Sequence, residues 1–290
     1  MQRERGFALL VVMLTIAVAS MLVVAATQSV RSTVRVIGAD VRDAQRSALL
    51  EAALATTVAF LIDPDSTRRW TADGRWRRIP IGTTDLVVRV QDANGLVDLN
   101  TADARLIKLL FEQVLGADDA GGLTAQVLAR RSPVGSRQPP PQPAAARLAF
   151  QHPSQLRQLS GMTGALHQRL DGRATIYNAN GLVNVMTAPR AILDAVPGLA
   201  ARDIDQMLEA RSRRSGTRDA AANLIRKAPG LLKTSQGPAF IISIGIADTT
   251  GRIVSALQAT ILAEPSTASM YQILDWNPGI SIAPPGEIPS

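Results

Sequence analysis

Cysteine is absent from this chain of 290 residues, and aromatic residues make up only 3% of it. Without cysteine there can be no disulfides, thiolate metal sites or cysteine nucleophiles. The only histidines are His152 and His167, and no Walker loop, Gly-x-Ser-x-Gly or His-Glu-x-x-His pattern is present. We therefore expect no enzymatic activity, no catalytic residues and no bound cofactor.

Lysine is also scarce, occurring only at Lys108, Lys227 and Lys233, so the net charge of +7 comes almost wholly from arginine. A basic surface can attract polyanions. An arginine bias spread through a whole chain is more typical of genome base composition, so the charge alone does not indicate a nucleic-acid partner.

The amino terminus joins a charged leader, MQRERG, to the uncharged residues 7–30. A helix of about 20 apolar residues spans a bilayer, whereas a signal-peptide core has about 7–15. Arg3 and Arg5 precede the apolar run, which places the amino terminus in the cytoplasm by the positive-inside rule. The sequence predicts a single-pass anchor in a bacterial inner membrane, with the rest of the chain in the periplasm.

A helical spacing of apolar residues continues beyond this run until Asp63-Pro64 stops it. We therefore predict one transmembrane and stalk helix over 7–62. The apolar positions that follow the uncharged run are Val34, Ile37, Val41, Leu50, Leu54, Val58 and Leu61.

The junction between Gly6 and Phe7 resembles that of type IV pilins and type II secretion pseudopilins. The resemblance implies that a prepilin peptidase cleaves between these two residues and methylates the new amino group of Phe7. Those families usually carry glutamate at the fifth mature position, which is Val11 here. A carboxylate in the bilayer is costly and is tolerated where it neutralises the terminal ammonium of the subunit above. Val11 therefore indicates a subunit at the tip, as in the K-type minor pseudopilins.

Two short strands are predicted at GRWRRIPI and DLVVRVQD, and a hairpin at AFIISIGIAD and RIVSALQATIL. Between these pairs the ten residues 93–102, ANGLVDLNTA, return at 179–188 as ANGLVNVMTA, with seven identities. Both copies resemble the G-(hydrophobic)-x-N-x-N-T-A element of K-type pseudopilins, with Asp98 and Met186 as departures. In that family a helical domain is inserted into the pilin-like sheet.

Two helix-turn-helix segments are predicted in the helical domain, one around Gly161 and one around Pro197-Gly198. Both resemble helix-hairpin-helix modules, which bind phosphates through backbone amides. The second glycine of that motif is replaced by Thr163 and Ala200, whose side chains hinder close approach of a phosphate. An arginine cluster could still attract DNA, so a membrane-anchored DNA-uptake protein remains an alternative, as does a minor pilin of a type IV pilus. The cluster comprises Arg211, Arg213 and Arg214.

The predicted fold class is α+β: a long membrane and stalk helix packed on a small antiparallel pilin-like sheet, with a large inserted helical domain. The predicted boundaries are a leader at 1–6, the helix at 7–62, the first part of the sheet domain at 63–100, the helical domain at 101–235 with a Pro-rich loop at 132–146, the final strands at 236–263, and a Pro-rich tail at 264–290.

The resemblance implies assembly with the I- and J-type minor pseudopilins, and also with the H-type and the major pseudopilin. Prepilin peptidase and the inner membrane are further partners, and contacts with exoproteins and the secretin are left open. Some K-type pseudopilins carry calcium. Two pairs of carboxylates could contribute to a calcium site, but no spacing typical of an EF-hand is present, so no metal ligands are assigned. These are Asp92 and Asp98, and Asp118 and Asp119.

Overall fold

The computed structural model describes residues 2–82, 84–131, 149–248, 250, 252–263 and 270–280. Its contacts divide the chain into two units, Met1–Ala52 and Ala53–Ser290. The predicted Pro-rich loop at 132–146, and residues 264–269 and 281–290 of the predicted tail, lie outside the described residues.

In the described chain one long helix comes first, and a segment of six α-helices and four two-residue strands then separates two strands from the final three. The helices are α1 (Gln2–Leu61), α2 (Ala104–Leu115), α3 (Ala117–Arg131), α4 (Gly164–Leu170), α5 (Arg190–Asp194), α6 (Ala201–Arg213) and α7 (Thr217–Lys227). The strands are β1 (Asp73–Ile81), β2 (Thr84–Asp92), β3 (Val97–Asp98), β4 (Ala174–Thr175), β5 (Val183–Asn184), β6 (Leu232–Lys233), β7 (Ala239–Ala247), β8 (Ile253–Leu262) and β9 (Gln272–Pro278). Short 3₁₀ helices lie at Ala93–Gly95 and Pro153–Gln158.

Five of the strands form one antiparallel sheet in the order β1-β2-β7-β8-β9. Strands β2 and β7 are neighbours in this sheet although residues 93–238 separate them in the chain. That intervening segment contains α2 to α7 and has its own hydrophobic core. The predicted α+β fold, an antiparallel sheet with an inserted helical domain, is confirmed.

Alternation along the strands gives the sheet an apolar face. Val88, Ile244 and Leu257 are paired across three neighbouring strands and are fully buried. Their side chains share a face because directly paired residues point the same way. The last turns of α1 contribute a second buried set at three- and four-residue spacing, which consists of Ala53, Leu54, Val58 and Leu61.

An aromatic stack fixes the chain where α1 ends. The rings of Phe60 and Trp70 lie parallel with centroids 4.8 Å apart, and the guanidinium of Arg77 on β1 lies 4.9 Å from the Trp70 ring. The Trp70 amide also donates to the Phe60 carbonyl at 3.0 Å. Stacking and cation–π contacts of this kind stabilise by about 1 kcal/mol each.

Three features differ from the sequence-based expectations. The predicted Pro-rich tail contains a seven-residue strand, β9, which was not predicted from the sequence because prolines flank it. Helix α7 was not predicted, since it carries two arginines, an aspartate and a lysine among only 11 residues. The first helix of the segment around Gly161 is a 3₁₀ helix of six residues rather than an α-helix.

The end of α6 generates a testable prediction. Arg214 is its C-cap, with φ of 54° and ψ of 29°, a left-handed conformation that glycine adopts more readily. We expect Arg214→Gly to raise the free energy of unfolding by about 0.5–1 kcal/mol, as measured by urea denaturation of the purified chain in detergent. The matched variant Arg213→Gly, one residue earlier inside the helix, should instead lose about 1 kcal/mol. Equal losses in the two variants would contradict the prediction.

Candidate functional site

The predicted processing residues Gly6, Phe7 and Val11 lie within α1, and their side chains are outside the described part of the structure. Within the residues that are described, no helix is long and apolar enough to cross a membrane. Cleavage, methylation and the membrane anchor therefore stay predictions.

The predicted turn residues lie where a helix-turn-helix arrangement requires them. Gly161 has a φ of +85° and precedes α4, and Gly198 has a φ of +88° between α5 and α6. Pro197 directly precedes Gly198 in the second turn. A Cβ on Gly198 would lie 3.1 Å from the Lys227 carbonyl oxygen, whereas one on Gly161 would meet open space.

The contacts at these turns weigh against phosphate binding. The Thr163 hydroxyl accepts a hydrogen bond from the Leu166 amide at 3.2 Å. That amide is one of the backbone donors that a phosphate would need. Arg211, from the predicted basic cluster, donates to the Ala188 carbonyl at 2.6 Å. Arg213 is paired with Glu209 at 2.6 Å. Arg211 therefore holds the backbone in place, and Arg213 is engaged in an ion pair on the surface of α6.

The two ANGLV elements pack against each other reciprocally. Gly95 of the first copy lies against Thr187 of the second, and Gly181 of the second lies against Thr101 of the first. A Cβ on Gly95 would come within 2.9 Å of the Thr187 hydroxyl oxygen, and one on Gly181 within 2.8 Å of Ala102 Cα. Each glycine thus faces the threonine six positions further on in the other copy.

The residue before each element continues this reciprocity. Asp92 Oδ2 accepts from the Thr187 hydroxyl at 2.9 Å and from Asn184 Nδ2 at 2.9 Å. In the other direction, Asp98 Oδ2 accepts from the Asn178 amide at 2.8 Å, and the Thr101 hydroxyl donates to the Asn178 carbonyl at 2.7 Å. The repeat therefore extends one residue further back than the sequence comparison suggested.

The elements end alike as well. Arg131, the last residue of α3, donates to the Ala102 carbonyl at 2.7 Å, and Arg211 of α6 donates to the equivalent Ala188 carbonyl at 2.6 Å. Each element also contributes a two-residue parallel strand, since β3 pairs with β4 and β5 pairs with β6.

Lys233 lies at the centre of this network. Its Nζ donates to Asn180 Oδ1 at 2.6 Å and lies 3.4 Å from Asn178 Oδ1. The side-chain amide of Asn94 is oriented so that its oxygen and its nitrogen both have partners. The oxygen accepts from Lys233 Nζ at 2.8 Å, and the nitrogen donates to Asn178 Oδ1 at 2.9 Å. A single ammonium therefore joins side chains from both copies.

Burial dominates the electrostatics of the network. It raises the pKa of Asp92 and Asp98, although each carboxylate accepts four hydrogen bonds that act in the opposite sense. Burial likewise lowers the pKa of Lys233, and the nearby Asp92 carboxylate opposes that shift. Such groups are tolerated inside a protein because they are paired and hydrogen-bonded.

These carboxylates do not fit a calcium site. Both oxygens of Asp92 and of Asp98 are taken up by protein donors, whereas calcium takes 6–8 oxygen ligands. Asp119 is exposed on α3, and the side chain of Asp118 is outside the described residues. The described part of the chain contains no group of three acidic or histidine side chains that could hold a metal.

One of the two histidines, His152, has a partner that is distant in the sequence. His152 caps the second 3₁₀ helix by accepting from the Ser154 amide, and its Nε2 lies 3.0 Å from Asp275 Oδ1 on β9. His167 is half-buried on α4, and its Nε2 has no hydrogen-bond partner among the described residues. The contact with Asp275 was missed because 123 residues separate the partners.

Among solved structures, this chain resembles a chain of the crystal structure of the GspK-GspI-GspJ complex from the type 2 secretion system of enterotoxigenic Escherichia coli. The TM-score is 0.51 and the identity 16%, over 82% of this chain and 95% of that chain. No protein-family model and no curated protein sequence matches. At this level of identity the likeness shows a common fold.

The close approach at Gly181 generates a prediction with an internal control. Gly181→Ala should lower the free energy of unfolding by at least about 3 kcal/mol, because φ is +68° and the new Cβ would overlap the backbone of Thr101 and Ala102. Gly230→Ala has a similar φ of +76° but open space around it, so it should cost about 1–2 kcal/mol. Urea denaturation measures both losses. If the two variants were equally stable, the reciprocal packing would be wrong.

Lys233 generates a prediction about pH. In Lys233→Met the buried Asp92 carboxylate loses its cation, which raises its pKa further, so the native state favours the protonated acid and loses stability as pH rises. We expect a loss of about 3 kcal/mol at pH 8 and a smaller loss at pH 5, measured by urea denaturation.

Lys227→Met is the control, since the Lys227 ammonium, on a side chain that is 41% exposed, pairs with Asp203 at 2.6 Å and lowers the pKa of that carboxyl. This ion pair loses its stabilising effect only when pH falls below the ordinary pKa range of aspartate. Lys227→Met should therefore lose the same free energy of unfolding at pH 5 and at pH 8. An equal loss at both values for Lys233→Met would refute the electrostatic coupling between Lys233 and Asp92.

Proposed function

We propose that this chain is a K-type minor pseudopilin of a type II secretion system, which initiates and caps the pseudopilus for protein export across the outer membrane. The observation that carries the proposal is the helical domain inserted between β2 and β7 of a pilin-like sheet that follows a long amino-terminal helix. A chain of the GspK-GspI-GspJ complex has the same fold.

The leader supports the same assignment. The proposal is that prepilin peptidase removes residues 1–6 and that residues 7–30 then anchor the protein in the inner membrane, with the sheet and helical domain in the periplasm. Val11, in place of the usual glutamate, suits a subunit with no terminal ammonium above it to neutralise. A tip position follows from this.

The proposed partners are the I- and J-type minor pseudopilins, by analogy with the complex that has this fold. Contacts with the H-type and the major pseudopilin belong to the same proposal. The work of the protein would be assembly, with side-chain packing between anchor helices holding the tip together.

Intact mass tests the processing step. Protein extracted from membranes of its own host should lack residues 1–6 and carry one added methyl group. Gly6→Val should retain the leader, because the small residue before the cut is lost, while Gly38→Ala in the same helix should be processed normally. Retention of Met1–Gly6 in the unmodified protein would remove the pilin class from consideration.

Coexpression with the I- and J-type proteins of the same genome tests the assignment within that class. A stable complex with both supports the tip role in secretion. Processing without such a complex, but with assembly onto type IV minor pilins, would assign the chain to a pilus instead.

A further inference from the structure

The two outer strands of the sheet are built in opposite ways. Strand β1 exposes Arg75, Arg78 and Pro80 and carries a bulge between Asp73 and Trp76. Charges, proline and bulges on an edge strand are the usual means by which proteins prevent another strand from pairing there. The β1 edge is therefore closed to pairing.

Strand β9 lacks most of these features. It contains no lysine or arginine, its proline is the terminal Pro278, and its single charge, Asp275, is paired with His152. Its bulge, at Leu274, leaves that side chain exposed. In the described part of Ala53–Ser290, every exposed large hydrophobic side chain lies on β8 or β9 or beside them. They are Val254, Met270, Ile273, Leu274 and Trp276.

The exposed side chains extend the buried face of the sheet. Trp276 pairs with Ala259, and Ile273 pairs with Ile261; both partners on β8 are fully buried. Trp276 and Ile273 themselves remain 39% and 45% exposed. The apolar face of the sheet therefore reaches the solvent along β9, beside a row of backbone groups that no described strand pairs with.

The opposite face of β8 and β9 borders a cavity of about 400 Å³, closed on its other side by the second 3₁₀ helix and α4. Its charged lining residues are Asp171, Asp275 and Arg157, and it also contains His152 and His167. Tyr177 lines it as well, and burial, with Asp275 nearby, raises the pKa of this phenol to about 12. Arg157 is exposed, whereas the Asp275 carboxylate is only 17% exposed, so the lining suits a cationic group.

We propose that the outer edge of β9 binds an extended strand of a partner minor pseudopilin, which packs apolar side chains on Ile273 and Trp276 and places a lysine or arginine beside Asp171 and Asp275. In strand addition, main-chain hydrogen bonds provide affinity, and pockets for alternate side chains provide specificity. The β9 edge is unpaired by any described strand, and its one charge is paired with His152. With an acidic cavity beneath one face, it meets both requirements. The inference rests on the proposed function, which supplies the partner.

The test uses the full chain in detergent, alone and in complex with the I- and J-type proteins of its genome. Hydrogen–deuterium exchange should show the amides of 272–277 protected at least 10-fold more in the complex. Trp276→Ser should raise the Kd of the complex about 10-fold or more, and Asp171→Asn should raise it severalfold. Val254→Ser is the matched control, since Val254 is 40% exposed on the same sheet but not on β9; it should leave the Kd unchanged.

The outcomes separate this inference from the function on which it rests. A complex that forms while 272–277 exchange freely, with Trp276→Ser binding normally, overturns the docking site and leaves the function standing. Failure of the unmodified chain to bind either partner overturns both. Protection of 272–277 in the isolated chain that grows with its concentration identifies a second copy as the occupant and overturns the inference. Unchanged circular dichroism of the variants shows that they fold.

Discussion

The contact on which the rest of the structure depends is the mutual packing of the two ANGLV elements. Each glycine lets the backbone of one copy approach the threonine of the other more closely than a Cβ would allow. Because the first copy follows β2 directly and the second lies deep in the inserted segment, this contact ties the beginning of the helical domain to its middle. The return into β7 is joined to the same point, since the Gly237 amide donates to Asp92.

The network is polar where a core would usually be apolar. Burying two carboxylates and an ammonium is costly, and a well-packed apolar replacement would often be as stable. What the polar groups provide is geometry: three hydrogen bonds to these carboxylates join one copy to the other, and one more joins Asp92 to the chain that enters β7. The strands that follow can then re-enter the sheet in register, so that β7 lies beside β2 with five buried apolar side chains on β7 and four on β2. These are Ala239, Phe240, Ile242, Ile244 and Ile246 on β7, and Leu86, Val87, Val88 and Val90 on β2.

Much of this architecture could be predicted because its signals are local. Three patterns can each be read from residues that are close in the sequence. They are the helical spacing up to Leu61, the alternation in β7 and β8, and the repeated ANGLV sequence. The reciprocity of Asp92 and Asn178 could not be predicted, because the two residues differ and their partners lie more than 75 residues away. The pairing of His152 with Asp275 escaped for the same reason. Strand β9 was missed because prolines lie around it, and prolines are typical of loops. The strand forms because β8 offers it a partner, which a local stretch of sequence does not reveal.

The most direct test of this account is native-state hydrogen exchange of two amides, those of Asn178 and Gly237, which donate to Asp98 and Asp92. If the paired elements join the sheet and the helical domain into one cooperative unit, both amides should exchange only by global unfolding, at the rate of the β7 amides. If both exchange orders of magnitude faster than β7, the helical domain opens independently, and the pairing is not what holds the fold together.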